Sequence, residues 1–439
     1  MHASIKYSPK PKGEKRSHAA GGLLSMLISD NRKTKFAEKN INDELVSKFI
    51  CEKSDSEFFN KSMKDQMGDA EKFVVKAIKD HLADPDLPLS KITIIQDGNS
   101  AGSSSKFAII VSINHLLGDG GTLYQVYNML SLDSEPQALQ YERVPYEKQL
   151  SSETSFVCQD GSPFLDAFFG AHMMPFMKKS IHRARVNYDG RYDIYNWIYK
   201  LNQDEVKKIK DANNDPDVPF VSTNDVIVSW LFNFNKKADY LVVAADLRER
   251  LSGLKKFERG GEDSADFLAG NYVVTPTLRS KDVKTPAAVR KGFQDIFNKK
   301  TNGEGYLDIP TAKELMKYNT GMSTNWCKFY KSVKIPGLKL EMCLPHQPIK
   351  LEKFMGIYPC VEEGVIIFKM NDNDIGMLIS AGSGRLTTEK IEKSGMVGEA
   401  VMTEVNLWPE ELLEKRRNNG SKMPRFFNCF YPRVSKDEL

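Results

Sequence analysis

The chain is poor in the features that mark several common chemistries. Its six cysteines, Cys51, Cys158, Cys327, Cys343, Cys360 and Cys429, are scattered over 439 residues, and no two form C-x-x-C. That spacing argues against zinc ribbons and redox dithiols; no metal site is expected, and buried thiols in a reducing compartment are. Charge is nearly balanced, 62 Lys and Arg against 58 Asp and Glu for a net +4, with a pI near 8.5. Composition of that kind gives no reason to expect a nucleic-acid partner. No apolar run is long enough to cross a bilayer, and the early run at 21–28 is too short for a secretory core. A G-x-S-x-G elbow, a P-loop and a dinucleotide glycine fingerprint are all missing. So is any internal repeat.

What is present describes a globular protein: 41% hydrophobic and 27% charged residues. The length is too great for one ordinary core and suits two domains. Period-2 or continuous β-branched runs predict strands at 92–95, 107–113, 240–245, 361–368 and 374–380. Helical spacing predicts helices at 70–82, 122–132, 221–234, 286–297 and 388–407. The Met-rich stretch 164–181 reads as core or channel lining, and the aromatic stretch 188–195 as a loop. Alternating strands and helices give an α/β (α+β) architecture with mixed sheets. The expected organisation is a basic arm at 1–20, an N-terminal lobe at 21–200 and a C-terminal lobe at 201–439. The crossover between the lobes is expected within 189–219.

The densest stretch follows the strand at 107–113. Ile113-Asn114-His115-Leu116-Leu117-Gly118-Asp119-Gly120-Gly121 contains H-x-x-x-D-G and runs into the helix at 122–132, whose apolar face is Leu123, Val126, Tyr127 and Leu130. The motif alone would arise by chance in roughly 3% of chains this long, so its setting carries the weight. A histidine at a strand end, before a glycine-rich turn and a helix, is held at the mouth of a sheet. Gly118, Gly120 and Gly121 are expected to supply the positive φ of a tight turn.

With this motif the chain resembles the CoA-dependent acyltransferases of the BAHD type, within the chloramphenicol-acetyltransferase-like superfamily. Further matches lie downstream in the family's order. Val221 to Val226 opens a helix that carries Trp230. Asp246-Leu247-Arg248-Glu249-Arg250 is similar to the D-x-R-x-R segment, and Phe267-Leu268-Ala269-Gly270-Asn271-Tyr272 to the F-G-N segment. Ser323-Thr324-Asn325-Trp326 is similar to the T-S-W segment, and Glu363 to Phe368 with Ile375 to Ile379 to the closing hairpin. The likeness covers residues 73–405. The D-F-G-W-G block of plant members is missing, since 333–340 reads VKIPGLKL. Position 114 is Asn, where the condensation domains of the superfamily carry a second histidine.

The resemblance implies two similar lobes of mixed sheets flanked by helices, with an active-site channel between them. It implies acyl transfer from acyl-CoA, as a co-substrate and not a bound cofactor, to a hydroxyl or amine of a small-molecule acceptor. His115 would be the general base, a task imidazole performs near neutral pH. Asp119 would be structural, paired with Arg248 (or Arg250) and not with the imidazole. Thr324 would stabilise the oxyanion, Gly118 and Gly120 would shape the turn, and Trp326 and Asn271 would line the channel. For the CoA phosphates, Lys255, Lys256, Arg259, Arg279, Lys281 and Lys284 are candidates. Two other readings stand beside this one: transfer from a carrier-protein thioester, and an acyl-CoA-binding relative without turnover. A cytoplasmic monomer is expected. The last four residues, Lys436-Asp437-Glu438-Leu439, spell an ER-retention signal and make the ER lumen the alternative.

Overall fold

The computed structural model describes residues 50–54, 57–76, 87–96, 107–115, 117–131, 194–234, 240–251, 267–274, 277–279, 283–298, 320–335, 339–345, 363–382 and 386–406. It also describes positions 80, 84, 134, 139, 140, 144, 146, 254 and 414. The basic arm, the Met-rich stretch 164–181 and the C-terminal tetrapeptide lie outside these residues.

The N-terminal half contributes a three-stranded sheet. β1 (Ile50–Ser54) runs parallel to β2 (Ser90–Gln96), and β2 pairs antiparallel with β3 (Phe107–Ile113). β3 is the β-branched run that precedes the motif. Helix α1 (Met63–Ala70) starts at Ser62, whose hydroxyl accepts from the Asp65 N–H and satisfies an otherwise orphaned donor. The helix expected at 70–82 does not cover 71–76, which is turn and coil, while Asp80 within that range is helical. The main chain of 71–76 is held by side chains of the sheet instead, with the Val75 N–H donating to Ser112 Oγ and Thr93 Oγ1 donating to the Phe73 carbonyl. Residues 77–79 and 81–83 lie outside the described residues. Helix α2 (Gly120–Asn128) follows the motif.

The C-terminal half builds an eight-stranded mixed sheet. Its strands are β5 (Ile194–Leu201), β6 (Tyr240–Asp246), β8 (Val273–Val274), β9 (Thr277–Arg279), β10 (Thr320–Asn325), β11 (Glu363–Lys369), β12 (Ile375–Gly382) and β13 (Val397–Asn406). The order is β13-β5-β12-β11-β10-β6-β8, with β9 also on β6. β10 is parallel to both neighbours, and β11–β12 is an antiparallel hairpin. The small pair β4 (Leu139–Gln140) and β7 (Phe267–Leu268) is a parallel bridge between the two halves. The sheets are therefore mixed α/β, as expected, but among the described residues they are unequal in size. β5 begins at Ile194, where a loop was expected, and hydrogen-bonds between β12 and β13. Residues 194–200 thus belong to the large sheet.

β11 and β12 are covered on both faces, which explains their nearly continuous apolar sequence. Val365, Ile367, Met377 and Ile379 pack in one cluster with Val226, Ile227, Leu231, Val289 and Phe293 of helices α4 (Thr223–Phe234) and α5 (Pro286–Asn298). Ile366, Phe368, Leu378 and Ile198 alternate to the opposite face, where Met67 of α1 and Trp326 pack. α4 opens with a reciprocal cap: the Asp225 N–H donates to Ser222 Oγ and the Ser222 N–H to Asp225 Oδ2. Arg290 of α5 closes on the same carboxylate at 2.8 Å. Helix α3 (Gln203–Asp211) is capped by the Asn202 side chain.

The helix expected at 388–407 is two elements. α6 (Thr388–Lys393) ends at Ser394, Gly395 turns the chain with φ +71°, and β13 follows. Only glycine takes that dihedral readily, so the helix stops there.

Candidate active site

The motif folds as a strand end, a turn and a helix start. The Asn114 N–H donates to the Leu89 carbonyl at 2.7 Å, and Asn114 Nδ2 to the Lys76 carbonyl. The Leu117 N–H closes the turn on the Asn114 carbonyl at 2.9 Å. Asn114, Gly118 and Asp119 are buried, while His115 is exposed. Its imidazole has no hydrogen-bond partner among the described residues. Its carbonyl does, because Asn271 Nδ2 donates to it at 2.8 Å from the other half of the chain.

Asp119 begins α2 and is the hub of the arrangement. As N-cap it accepts from the Thr122 N–H at 3.1 Å. Arg248 grips it with two parallel bonds, Nη1 to Oδ2 at 3.1 Å and Nη2 to Oδ1 at 3.0 Å. The Tyr272 N–H adds a further donor at 2.9 Å. Every strong direction around this carboxylate is taken, and none leads to the imidazole. Arg250 instead reaches the Asp246 carbonyl from an exposed position.

Arg248 is itself saturated. It donates to the carbonyls of Leu268 and Gly270, to Thr122 Oγ1 and to Asp246 Oδ1. The guanidinium also lies over the Tyr272 ring, 5.1 Å from its centroid. Lys328 completes an alternating row, Asp119–Arg248–Asp246–Lys328, with Nζ 2.9 Å from Asp246 Oδ2. Burial opposes the charge on Asp246, but Arg248 and Lys328 outweigh it and hold its carboxyl below the usual range. Burial likewise works against the charge on Arg248, and the two aspartates overcome it.

The motif glycines do not act through positive φ, contrary to expectation; none of the three has it. They permit close approach. A Cβ on Gly118 would lie 2.5 Å from Thr122 Cβ, one on Gly120 3.0 Å from the Trp326 indole nitrogen, and one on Gly121 2.9 Å from Arg248 Nη1. Positive φ appears at Gly270, +140°, whose carbonyl and N–H both bond Thr122 Oγ1. A Cβ there would also meet the Tyr272 ring at 2.9 Å. Gly270→Ala is therefore expected to lower stability by about 1–3 kcal/mol through backbone strain. A thermal melt matching wild type would show that the turn relaxes freely.

Trp326 stands against the N-terminus of α2, with its ring 6.2 Å from that of Tyr124. Thr324 is paired with Ala244 and Ile366, which places it on the sheet face shared by Trp326. No hydrogen bond joins Thr324 to the His115 turn among the described residues. Burial pushes the Cys327 and Cys343 thiols up to about 11, which keeps both protonated at neutral pH. Neither is then an activated nucleophile. Arg279 and Lys284 are the phosphate candidates among the described residues; Lys255, Lys256, Arg259 and Lys281 are not among them.

Three residues that hold this arrangement escaped the sequence reading. Thr122 joins Asp119, Arg248 and Gly270. Tyr272 contributes a main-chain donor, and its hydroxyl accepts from the Val144 N–H. Asn128 fastens α2 to the segment after Trp326, donating to the Phe329 carbonyl and accepting from the Lys331 N–H. Bonds of this kind join residues up to 203 positions apart and leave no local pattern.

No family model and no curated sequence matches the chain. Among solved structures it is similar to F. graminearum TRI101 complexed with coenzyme A and deoxynivalenol, at 11% identity and a TM-score of 0.39 over 81% of this chain and 82% of that one. Vinorine synthase is similar at 10% identity and a TM-score of 0.39, over 78% of this chain and 73% of that one. VibH, an NRPS condensation enzyme, is similar at 12% identity and a TM-score of 0.31, over 87% and 78% of the two chains.

Proposed function

We propose that the chain is an acyltransferase moving an acyl group from a CoA thioester to a hydroxyl or amine of a small molecule, with His115 as general base. The observation that carries this is the convergence on Asp119. Three segments far apart in sequence, 115–122, 246–248 and 268–272, meet there through buried charged hydrogen bonds. Together they fix a turn that leaves one imidazole exposed and free of any carboxylate partner among the described residues.

The chemistry follows from that placement. The imidazole takes the proton of the acceptor as its oxygen or nitrogen attacks the thioester carbonyl. The tetrahedral oxyanion forms, with the Thr324 hydroxyl as its donor. Collapse breaks the carbon–sulfur bond, and the departing thiolate takes the proton from the imidazolium. Asp119 and Arg248 hold the turn and stay out of the proton's path. Asn at position 114 favours a free CoA thioester over a carrier-protein donor.

A thiol-release assay tests the reading. Several acyl-CoAs are offered with pooled alcohols and amines, and products are read by mass spectrometry. Acceptor-dependent release of CoA with a matching acylated product is expected. Stoichiometric acyl-CoA binding without release, across a broad panel, would overturn it.

A further inference from the structure

The turn carrying His115 exposes a second side chain. Leu117 is 41% exposed, and only Phe220 joins it among exposed large hydrophobics of the described residues. Its neighbours Asn114, Gly118 and Asp119 are buried. The main chain cannot easily rotate it inward. Its N–H is bonded to the Asn114 carbonyl, the His115 carbonyl to Asn271, and Gly118 lies tight against Thr122. A leucine 41% exposed forgoes only part of the roughly 1.5–3 kcal/mol that full burial supplies. Here it stands in a turn closed by the Leu117 N–H to Asn114 carbonyl bond, two residues from an exposed imidazole.

We propose that Leu117 is a specificity-determining residue: it packs against the hydrocarbon of the acyl chain and favours apolar acyl groups over acetyl. The inference rests on the acyltransferase reading and names the substrate class for it. The first methylenes of an acyl chain are bonded to the reacting carbonyl carbon. With that carbon brought to a nucleophile activated by His115, those methylenes lie at this turn. Burial of leucine and methylene together then makes binding tighter as the chain grows.

S-alkyl-CoA thioethers, which bind without transferring a group, provide the test. Dissociation constants of CoA and its S-ethyl, S-butyl and S-hexyl derivatives are measured by calorimetry for wild type and Leu117→Ser. For wild type, affinity is expected to rise by up to about fourfold per methylene, the value for full withdrawal from water. For Leu117→Ser the slope is expected to flatten, with CoA itself bound equally well by both. Because Leu117 is exposed, the variant should melt with wild type. Identical slopes in the two proteins would overturn the inference and leave the acyltransferase reading standing. Failure of any CoA compound to bind wild type would remove that reading and the inference with it. A Leu117-dependent slope for 1-butanol against 1-hexanol as acceptor, with none for the thioethers, would move Leu117 to the acceptor side and also overturn it.

Discussion

His115→Ala is expected to lower turnover about 10²–10⁴-fold, the usual contribution of a positioned general base, while leaving the melting temperature unchanged. The second half of that expectation comes from the structure. The imidazole is exposed and donates or accepts no hydrogen bond among the described residues, so its removal opens no cavity and strands no partner. Everything that fixes the turn acts through main chain or through other side chains. The bond from Asn271 ends on the His115 carbonyl, which alanine keeps. Activity and stability should therefore separate cleanly. Imidazole added to the buffer is expected to restore part of the lost turnover, since the acceptor's proton can pass to a free base. Measured acyl transfer equal to wild type would take His115 out of the chemistry.

That separation depends on how the site is divided between local and distant residues, and the same division decides what was legible in the sequence. β3 was readable to the residue, because Phe107–Ile113 is a nearly continuous apolar run rich in β-branched residues. β6, β11 and β12 of the large sheet were readable for the same reason, since strands covered on both faces carry apolar residues continuously, but β10, whose residues Thr320–Asn325 are mostly small and polar, was not. β13 was not. Its pairing with β5 shifts register between Val397 and Ala400, again before Met402 and again before Val405. Such shifts break the two-residue alternation that marks a strand, and the spacing left behind resembles a helix. β1 was missed because Ile50–Ser54 has charge in its middle and only five residues. In the site, His115 and Asp119 stand in a local motif and could be found. Thr122, Asn128 and Tyr272 act through hydrogen bonds to residues far away in the chain, and a main-chain donor such as the Tyr272 N–H has no residue signature at all.

The charged row behind the turn leads to the largest expected loss of stability. Arg248→Met should destabilise the protein by about 3–5 kcal/mol, the range for removing one member of a buried ion pair. Asp119 and Asp246 are 3% and 6% exposed in their side chains. Without the guanidinium, Asp119 has no ion-pair partner among the described residues, and Asp246 keeps Lys328 and the more distant charge of Arg250. The carbonyls of Leu268 and Gly270 lose a donor as well. pH supplies a check on the cause. In wild type the Asp246 carboxyl is held low, so its contribution is present above the ordinary carboxylate range, ~4, and fades as pH falls through its depressed value. In the variant the buried Asp246 carboxylate, stripped of Arg248, is a penalty that protonation relieves. The difference in melting temperature should thus be largest near neutrality and shrink as pH approaches ~4. Asp119→Asn should lower melting temperature and activity together, and Asp119→Asn with Arg248→Met should cost about 0.5–3 kcal/mol less than the two singles added. If Asp119→Asn instead melted with wild type and lost its activity, the carboxylate would be acting on the reaction directly, and the division between a free imidazole and a turn held by Arg248 would fail.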